Sequence, residues 1–381
     1  MWAKKTDLAI VNRSFWPHNQ VIGEALLRFA ELVSEAHSVC VITQSRENLR
    51  DALNDAGRGA GVCIRACSAH TDSSSGIVKR ALEAVYFMIW TLFSLMRARP
   101  AKVYVATDPP VLVPFIVYLY CSLFRAEYYY HLQDIHPEAA NIVVPLHPWI
   151  FGMLRWIDNC TMRHAAALIT LSEDMKDFIR CRSETNVPIR LLDNPSFHVD
   201  MRNEKKPLKD IVFCGNAGRL QRIPLLMTAI RSYLQSGGKL NFTFVGGGLY
   251  TPQLKELASA YDQVEYLGYL PADTASEVVT HHRWALLPID DEVTCYAFPS
   301  KSSSYVLAGC GVLAICGGET SVARWVNRNH VGISCEPEHD TLVACFRSLE
   351  SMDNEKFIAK EQLLEGLEIS SFVDRLKEIV F

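Results

Sequence analysis

The stretch "DIVFCGNAGRLQR" (210–222) runs from an apolar segment through two glycines to two arginines. This is how a chain turns from strand to helix at the carboxyl end of an open α/β sheet, where ligands of such sheets bind. Gly215 and Gly218 permit a close turn, and Arg219 and Arg222 are expected to enter the first helical turn. Such a turn suits a diphosphate. Backbone N–H groups at a helix start attract anions, and each guanidinium adds charge-assisted hydrogen bonds worth about 1.5–3 kcal/mol.

The same alternation extends in both directions. Ahead of it lie "LAIVN" (8–12), "SVCVITQ" (38–44), "VYVATD" (103–108), "EYYYHLQ" (127–133) and "ALITLS" (167–172). Beyond it follow "LNFTFVGGG" (240–248), "QVEYLGYL" (263–270), "WALLPI" (284–289), "VLAICGG" (312–318) and "GISCEP" (332–337). Strand-like runs separated by helix-like stretches predict a doubly wound parallel sheet, here twice over. The polar segment "HVDMRNEKKPLKD" (198–210) reads as the linker between the two. The expected architecture is α/β: two Rossmann-like domains, 1–197 and 211–381, facing across a cleft, with the last helix able to cross back to the first.

Composition agrees with two folded cores. The 381 residues exceed one ordinary core, and 49% hydrophobic with 21% charged residues is a globular balance. A net charge of -4 argues against binding nucleic acid through phosphates. Twelve cysteines are scattered without metal or redox spacing, which fits reduced thiols in a cytoplasmic chain. The N-terminal stretch has no signal-peptide pattern, and cytoplasmic residence is expected. Two apolar runs, "VYFMIWTLFSLM" (85–96) and "VLVPFIVYLYCSLF" (111–124), fall short of the ~20 residues of a spanning helix. They read as helices covering a sheet or, given the flanking Lys79, Arg80, Arg97, Arg99, Lys102 and Arg125, as a face seated on lipid headgroups.

Three further clusters bear on chemistry. "FVGGG" (244–248) lacks the third glycine of a dinucleotide fingerprint, and Gly246 and Gly247 fit a strand-end turn beside a nucleotide. "FPSKSSS" (298–304) starts a helix with open N–H groups and one cation, Lys301, again suited to phosphate, or is simply a well-capped core helix. "HLQDIHPE" (131–138) gathers His131, Asp134, His136 and Glu138 after a strand, without convincing metal spacing. "DDE" (290–292) reads as a solvated loop rather than a metal-binding acid pair.

In order, "WPHNQVIGEALLRFAELV", "LQDIHPEAANIV", "LLDNPS", "GNAGRLQRIPLL", "FVGGG", "LGYLP", "FPSKSSSYVLAGCGVLA" and "GGETSVARWVNRNHVGI" resemble the GT-B glycosyltransferases of family 4. The likeness is greatest to bacterial enzymes of colanic-acid, capsule and O-antigen assembly. It implies a nucleotide-sugar donor in the second domain, and in the first a lipid-linked or saccharide acceptor at the inner membrane's cytoplasmic face. Transfer would be hexosyl or N-acetylhexosaminyl, with retention and without a metal or other cofactor. Implied catalytic residues are Asp134, Arg219 and Lys301. Implied donor contacts are Gly215, Asn216, Arg222, Gly246, Gly247, Phe298, Ser300, Ser304 and Glu319, and implied acceptor-side residues are Asn19, Gln20, His131 and Glu138. The family's common Glu-x7-Glu carboxylates are replaced by Tyr296 and Ser304, which leaves Glu319 as an alternative carboxylate. Two other readings stay open: a GT-B partner protein without turnover, and a nucleotide-sugar epimerase.

Overall fold

A computed structural model describes residues 6–71, 76–196, 208–352 and 359–381. Among the described residues thirteen parallel strands form two sheets, and each sheet belongs to its own compact unit, 1–195 with 369–381 and 196–368. The linker expected over 198–210 lies outside the described residues up to 207.

The strands of the first unit are β1 (Leu8–Val11), β2 (Val39–Ser45), β3 (Val62–Ser68), β4 (Lys102–Ala106), β5 (Glu127–His131), β6 (Ala167–Thr170) and β7 (Ile189–Leu191). Their spatial order is β3-β2-β1-β4-β5-β6-β7. Its helices are α1 (Ile22–Ser34), α2 (Leu49–Asp55), α3 (Ile77–Ala98), α4 (Leu112–Phe124), α5 (Glu138–Val143), α6 (Pro148–Arg163) and α7 (Glu173–Ser183). The central strands are buried on both faces, which explains their near-continuous apolar sequence. Strands β3 and β7 were not read from the sequence. They are the two edges of the sheet, where burial and hence the apolar signal are weakest.

The second unit holds β8 (Lys209–Cys214), β9 (Phe242–Val245), β10 (Val264–Gly268), β11 (His282–Pro288), β12 (Gly311–Ile315) and β13 (Gly332–Cys335), in the order β10-β9-β8-β11-β12-β13. Its helices are α8 (Ile223–Gln235), α9 (Thr251–Ala260), α10 (Ala272–Thr280), α11 (Lys301–Leu307), α12 (Ser321–Asn329), α13 (His339–Glu350) and α14 (Glu361–Leu367). The last helix, α15 (Ile369–Val380), belongs to the first unit, where Phe372, Leu376 and Val380 enter a core shared with α1. Lys102 holds its end by donating to the Val380 carbonyl at 2.6 Å.

The other face of the first sheet carries α3, α4 and α6, packed side by side. One expectation is corrected here. Helix α3 extends well beyond the apolar run 85–96 and is long and apolar enough to cross a membrane. Phe87, Thr91, Ser94 and Leu95 nevertheless face inward and are fully buried, so α3 serves as a covering helix of the sheet.

Candidate functional site

In both sheets the strand order reverses beside the first strand of the unit, and crossovers leave in opposite directions there. A crevice therefore opens between β8 and β11 at their carboxyl ends. Pairing of β8 with β11 ends at Val212 and Ala285, whereas β8 stays paired with β9 through Cys214. The Cys214 backbone is left without a strand on the β11 side. The Tyr305 hydroxyl takes that place, accepting from the Cys214 N–H at 3.2 Å and donating to its carbonyl at 3.0 Å. Burial holds the Tyr305 phenol well above its ordinary pKa, so it remains a neutral donor.

Tyr305 thus fixes α11 against the end of β8, and one turn earlier on the same helix face stands Lys301. Its ammonium lies 5.2 Å from the Phe213 ring centroid and directly over Gly215, where a Cβ would fall 1.4 Å from Nζ. Gly215, at φ +146, is therefore required twice: for its backbone angle and because the lysine occupies the space of a side chain. Desolvation lowers the Lys301 pKa, the Cys214 thiol opposing, and no carboxylate among the described residues pairs with it. A half-buried cation without a counter-charge carries a desolvation cost that an anion joining it would offset.

The two loops of the crevice are tied by Arg222, but not as expected. Its backbone is left-handed at φ 46, between a short 3₁₀ turn (Arg219–Gln221) and α8, and this turns the side chain toward the β11 loop. There Nε donates to the Ile289 carbonyl at 2.8 Å and the guanidinium meets Asp291 at 3.0 Å. Asp291 in turn accepts from the Gly317 N–H at 2.9 Å. Arg222 is thus a brace between loops rather than a diphosphate ligand, and "DDE" contributes a structural carboxylate that the sequence did not reveal. Arg219 is exposed, and its guanidinium has no partner among the described residues.

The backbone N–H groups expected to meet an anion are mostly spent within the protein. Gly215 donates to Val245, Ala217 to Gly247 and Gly246 to Gly268 at 2.6–2.8 Å, and Gly218 donates to the Gln221 amide at 3.2 Å. Gly246 and Gly247 press the β9 turn onto the β8 turn: a Cβ on Gly246 would lie 2.1 Å from the Gly215 carbonyl oxygen. Asn216 is exposed, with its amide against Gly218 and Gly248. The positive character of the crevice therefore rests on Lys301 and Arg219.

The remaining donor-side residues are scattered around that centre. Phe298 is buried edge-on against Trp325, at 5.9 Å between centroids, and Ser300 is exposed at the start of α11. Ser304 is not a free hydroxyl: it hydrogen-bonds Ser196 at 2.8 Å, where the chain pairs with Glu368. Glu319 is exposed in the turn between β12 and α12, its carbonyl held by Arg324.

In the first unit, Asp134 lies in the loop after β5, exposed to water, with its N–H 3.5 Å from the Thr107 hydroxyl. Although the side chain keeps contact with water, the protein packed around the carboxyl limits its solvation and pushes it up to about 6. Two neighbours are not surface groups. His131 is fully buried, its Nδ1 2.6 Å from the Tyr104 hydroxyl and its ring near Phe372, and burial lowers it to about 3. Glu138 is buried against Arg182 at 2.6 Å, and that guanidinium also pairs with Asp158. Both acceptor-side assignments are corrected: these residues end β5 and begin α5 facing the interior, where polar groups must find internal partners. Asn19 caps the start of α1, accepting from Val21 and Gly23 at 3.2–3.3 Å, and Gln20 beside it is exposed.

Residues 23–195 match the family model described as a glycosyl transferase 4-like domain. No curated protein is significantly similar in sequence. The fold is shared with Anabaena Alr3699/HepE in complex with UDP, at TM-score 0.68 and 12% identity over 98% of this chain and 99% of that one. It is also shared with the E. coli structure described as trehalose-6-phosphate bound with UDP-2-fluoro glucose, at TM-score 0.69 and 10% identity over 98% and 99%. WaaG, a glycosyltransferase involved in lipopolysaccharide biosynthesis, aligns at TM-score 0.63 and 13% identity over 98% and 99%. Residues 23–195 thus match a glycosyl transferase 4-like domain, in a chain with the fold of the GT-B glycosyltransferases.

Proposed function

We propose that this protein is a glycosyltransferase that binds a nucleotide-sugar in the β8–β11 crevice and passes the sugar, with retention, to a lipid-linked or saccharide acceptor of bacterial surface polysaccharide assembly. The observation that carries the reading is the Lys301 ammonium, half-buried over Gly215 without a carboxylate partner among the described residues. A diphosphate would supply the missing charge, and Arg219 could close on it from the surface.

In the transfer, the bond between the anomeric carbon and the leaving phosphate oxygen breaks as the acceptor hydroxyl bonds to that carbon. The acceptor proton passes to the departing phosphate, so no metal or enzymic nucleophile is required. Lys301 and Arg219 stabilise the charge that develops on the leaving group. Asp134 is assigned to orient the acceptor hydroxyl or the sugar. The sugar is a hexosyl or N-acetylhexosaminyl unit, and the reaction belongs at the cytoplasmic face of the inner membrane.

Calorimetry of UDP-, GDP- and dTDP-sugars with wild type and Lys301→Met tests the donor site. One nucleotide class should bind, and the substitution should weaken it; failure of all three to bind a folded protein overturns the reading. A second reading, a partner protein without turnover, is favoured by Ser304, whose hydroxyl is engaged by Ser196. Binding without sugar transfer or hydrolysis would select it. Release of an altered nucleotide-sugar without any acceptor would instead mark an epimerase.

A further inference from the structure

We propose that the outer face of α3, α4 and α6 docks on an anionic lipid bilayer. A helix covering a sheet is ordinarily apolar on its inner side and polar outside. Helix α3 is apolar on both: Phe87 and Leu95 are buried inward, while Leu82, Ile89 and Phe93 are each more than half exposed. The neighbouring helices continue this face, with Leu123 on α4 and Trp149 and Trp156 on α6 also more than half exposed. Of the 21 large apolar side chains exposed among the described residues, 14 lie on these three helices. Singly exposed apolar residues need no explanation, but a clustered face does.

Charge identifies the occupant. The three helices contain two acidic residues, and both point inward: Glu83 accepts from the Thr71 N–H at 3.2 Å, and Asp158 is fully buried against Arg182. Lys79, Arg80 and Arg97 on α3, and Arg125 at the end of α4, are exposed. In a chain of net charge -4, a face without an exposed carboxylate on its helices but with a basic rim is complementary to lipid phosphate. A second copy docked on the same face would bring that rim against itself. Because the inner side of α3 is packed on the sheet, the helix lies in the interface plane rather than spanning the bilayer, with aromatic and apolar side chains among the acyl chains. Docking stands independently of the donor reading; only the inference that a lipid-linked acceptor is met there rests on it.

The test is co-sedimentation of the full chain with phosphatidylcholine vesicles and with vesicles containing about a third phosphatidylglycerol. Wild type should bind the anionic vesicles and release with added salt. Ile89→Glu/Phe93→Glu should lose binding about tenfold or more, and Lys79→Gln/Arg80→Gln should lose a similar factor on anionic vesicles alone. Circular dichroism and nucleotide-sugar affinity of these variants should remain those of wild type, which separates docking from the donor site. Quenching of Trp149 and Trp156 by brominated lipid should report insertion, and Trp149→Phe/Trp156→Phe should remove it. Failure to bind either vesicle, or equal binding by wild type and both variants, overturns the proposal. So does a dimer in light scattering that Ile89→Glu/Phe93→Glu abolishes while vesicles leave wild type unbound.

Discussion

The two sheets share a strand order over six strands, the first adding β7 at one edge, and each places an arginine–aspartate brace at its reversal point. In the first unit Arg13, following β1, meets Asp108, following β4, at 2.9 Å, and Asp108 also accepts from the Ser14 N–H at 2.8 Å. In the second, Arg222 and Asp291 do the same at 3.0 Å. The difference is Lys301, a further cation at the second reversal point that no carboxylate among the described residues pairs with. A charged group that completes a brace belongs to the fold, and one that the fold leaves uncompensated is where an anionic ligand adds binding energy.

The largest expected effect therefore belongs to Lys301→Met. Nucleotide-sugar affinity should fall about a hundredfold, the worth of a charge-assisted contact, while thermal stability holds or rises because an uncompensated, half-buried charge has been removed. A lower melting temperature with unchanged affinity would make Lys301 one more brace. Arg219→Ala, at an exposed position, should weaken the same ligand about tenfold without moving the melt. An equal loss from Arg219 and Lys301 would break the distinction between the half-buried and the exposed cation.

Asp134 supplies a pH test. A carboxyl pushed up to about 6 favours its protonated form in the folded protein, so its contribution to stability is full below the unfolded value near 3.9 and is lost as pH rises through about 6. Asp134→Asn should flatten that stability change, and it should also remove a rise in sugar transfer through about pH 6 if the carboxylate orients the acceptor. A transfer profile unaltered by the substitution would remove Asp134 from the reaction. The braces should respond least and alike: Asp108→Asn and Asp291→Asn are expected to cost about 1 kcal/mol each in chemical denaturation. Ser304→Ala should cost about 1 kcal/mol through the bond to Ser196 and leave donor affinity unchanged; a loss of affinity would return Ser304 to the ribose.

The alternating apolar runs determined two parallel α/β sheets, because strands buried on both faces must be apolar throughout. The glycines after β8 and β9 and the lysine of "FPSKSSS" marked the crevice, since close turns and a cation leave signatures in residue type. Short-range sequence could not separate neighbouring polar residues with opposite fates. His131 and Asp134 are three residues apart, yet one ends a buried strand and the other enters an open loop. Arg219 and Arg222 are also three apart, yet a left-handed backbone at the second turns its guanidinium onto Asp291. The sequence by itself determined which groups could bind an anion; only the tertiary structure decided which were already neutralised, because their partners come from strands and loops distant along the chain.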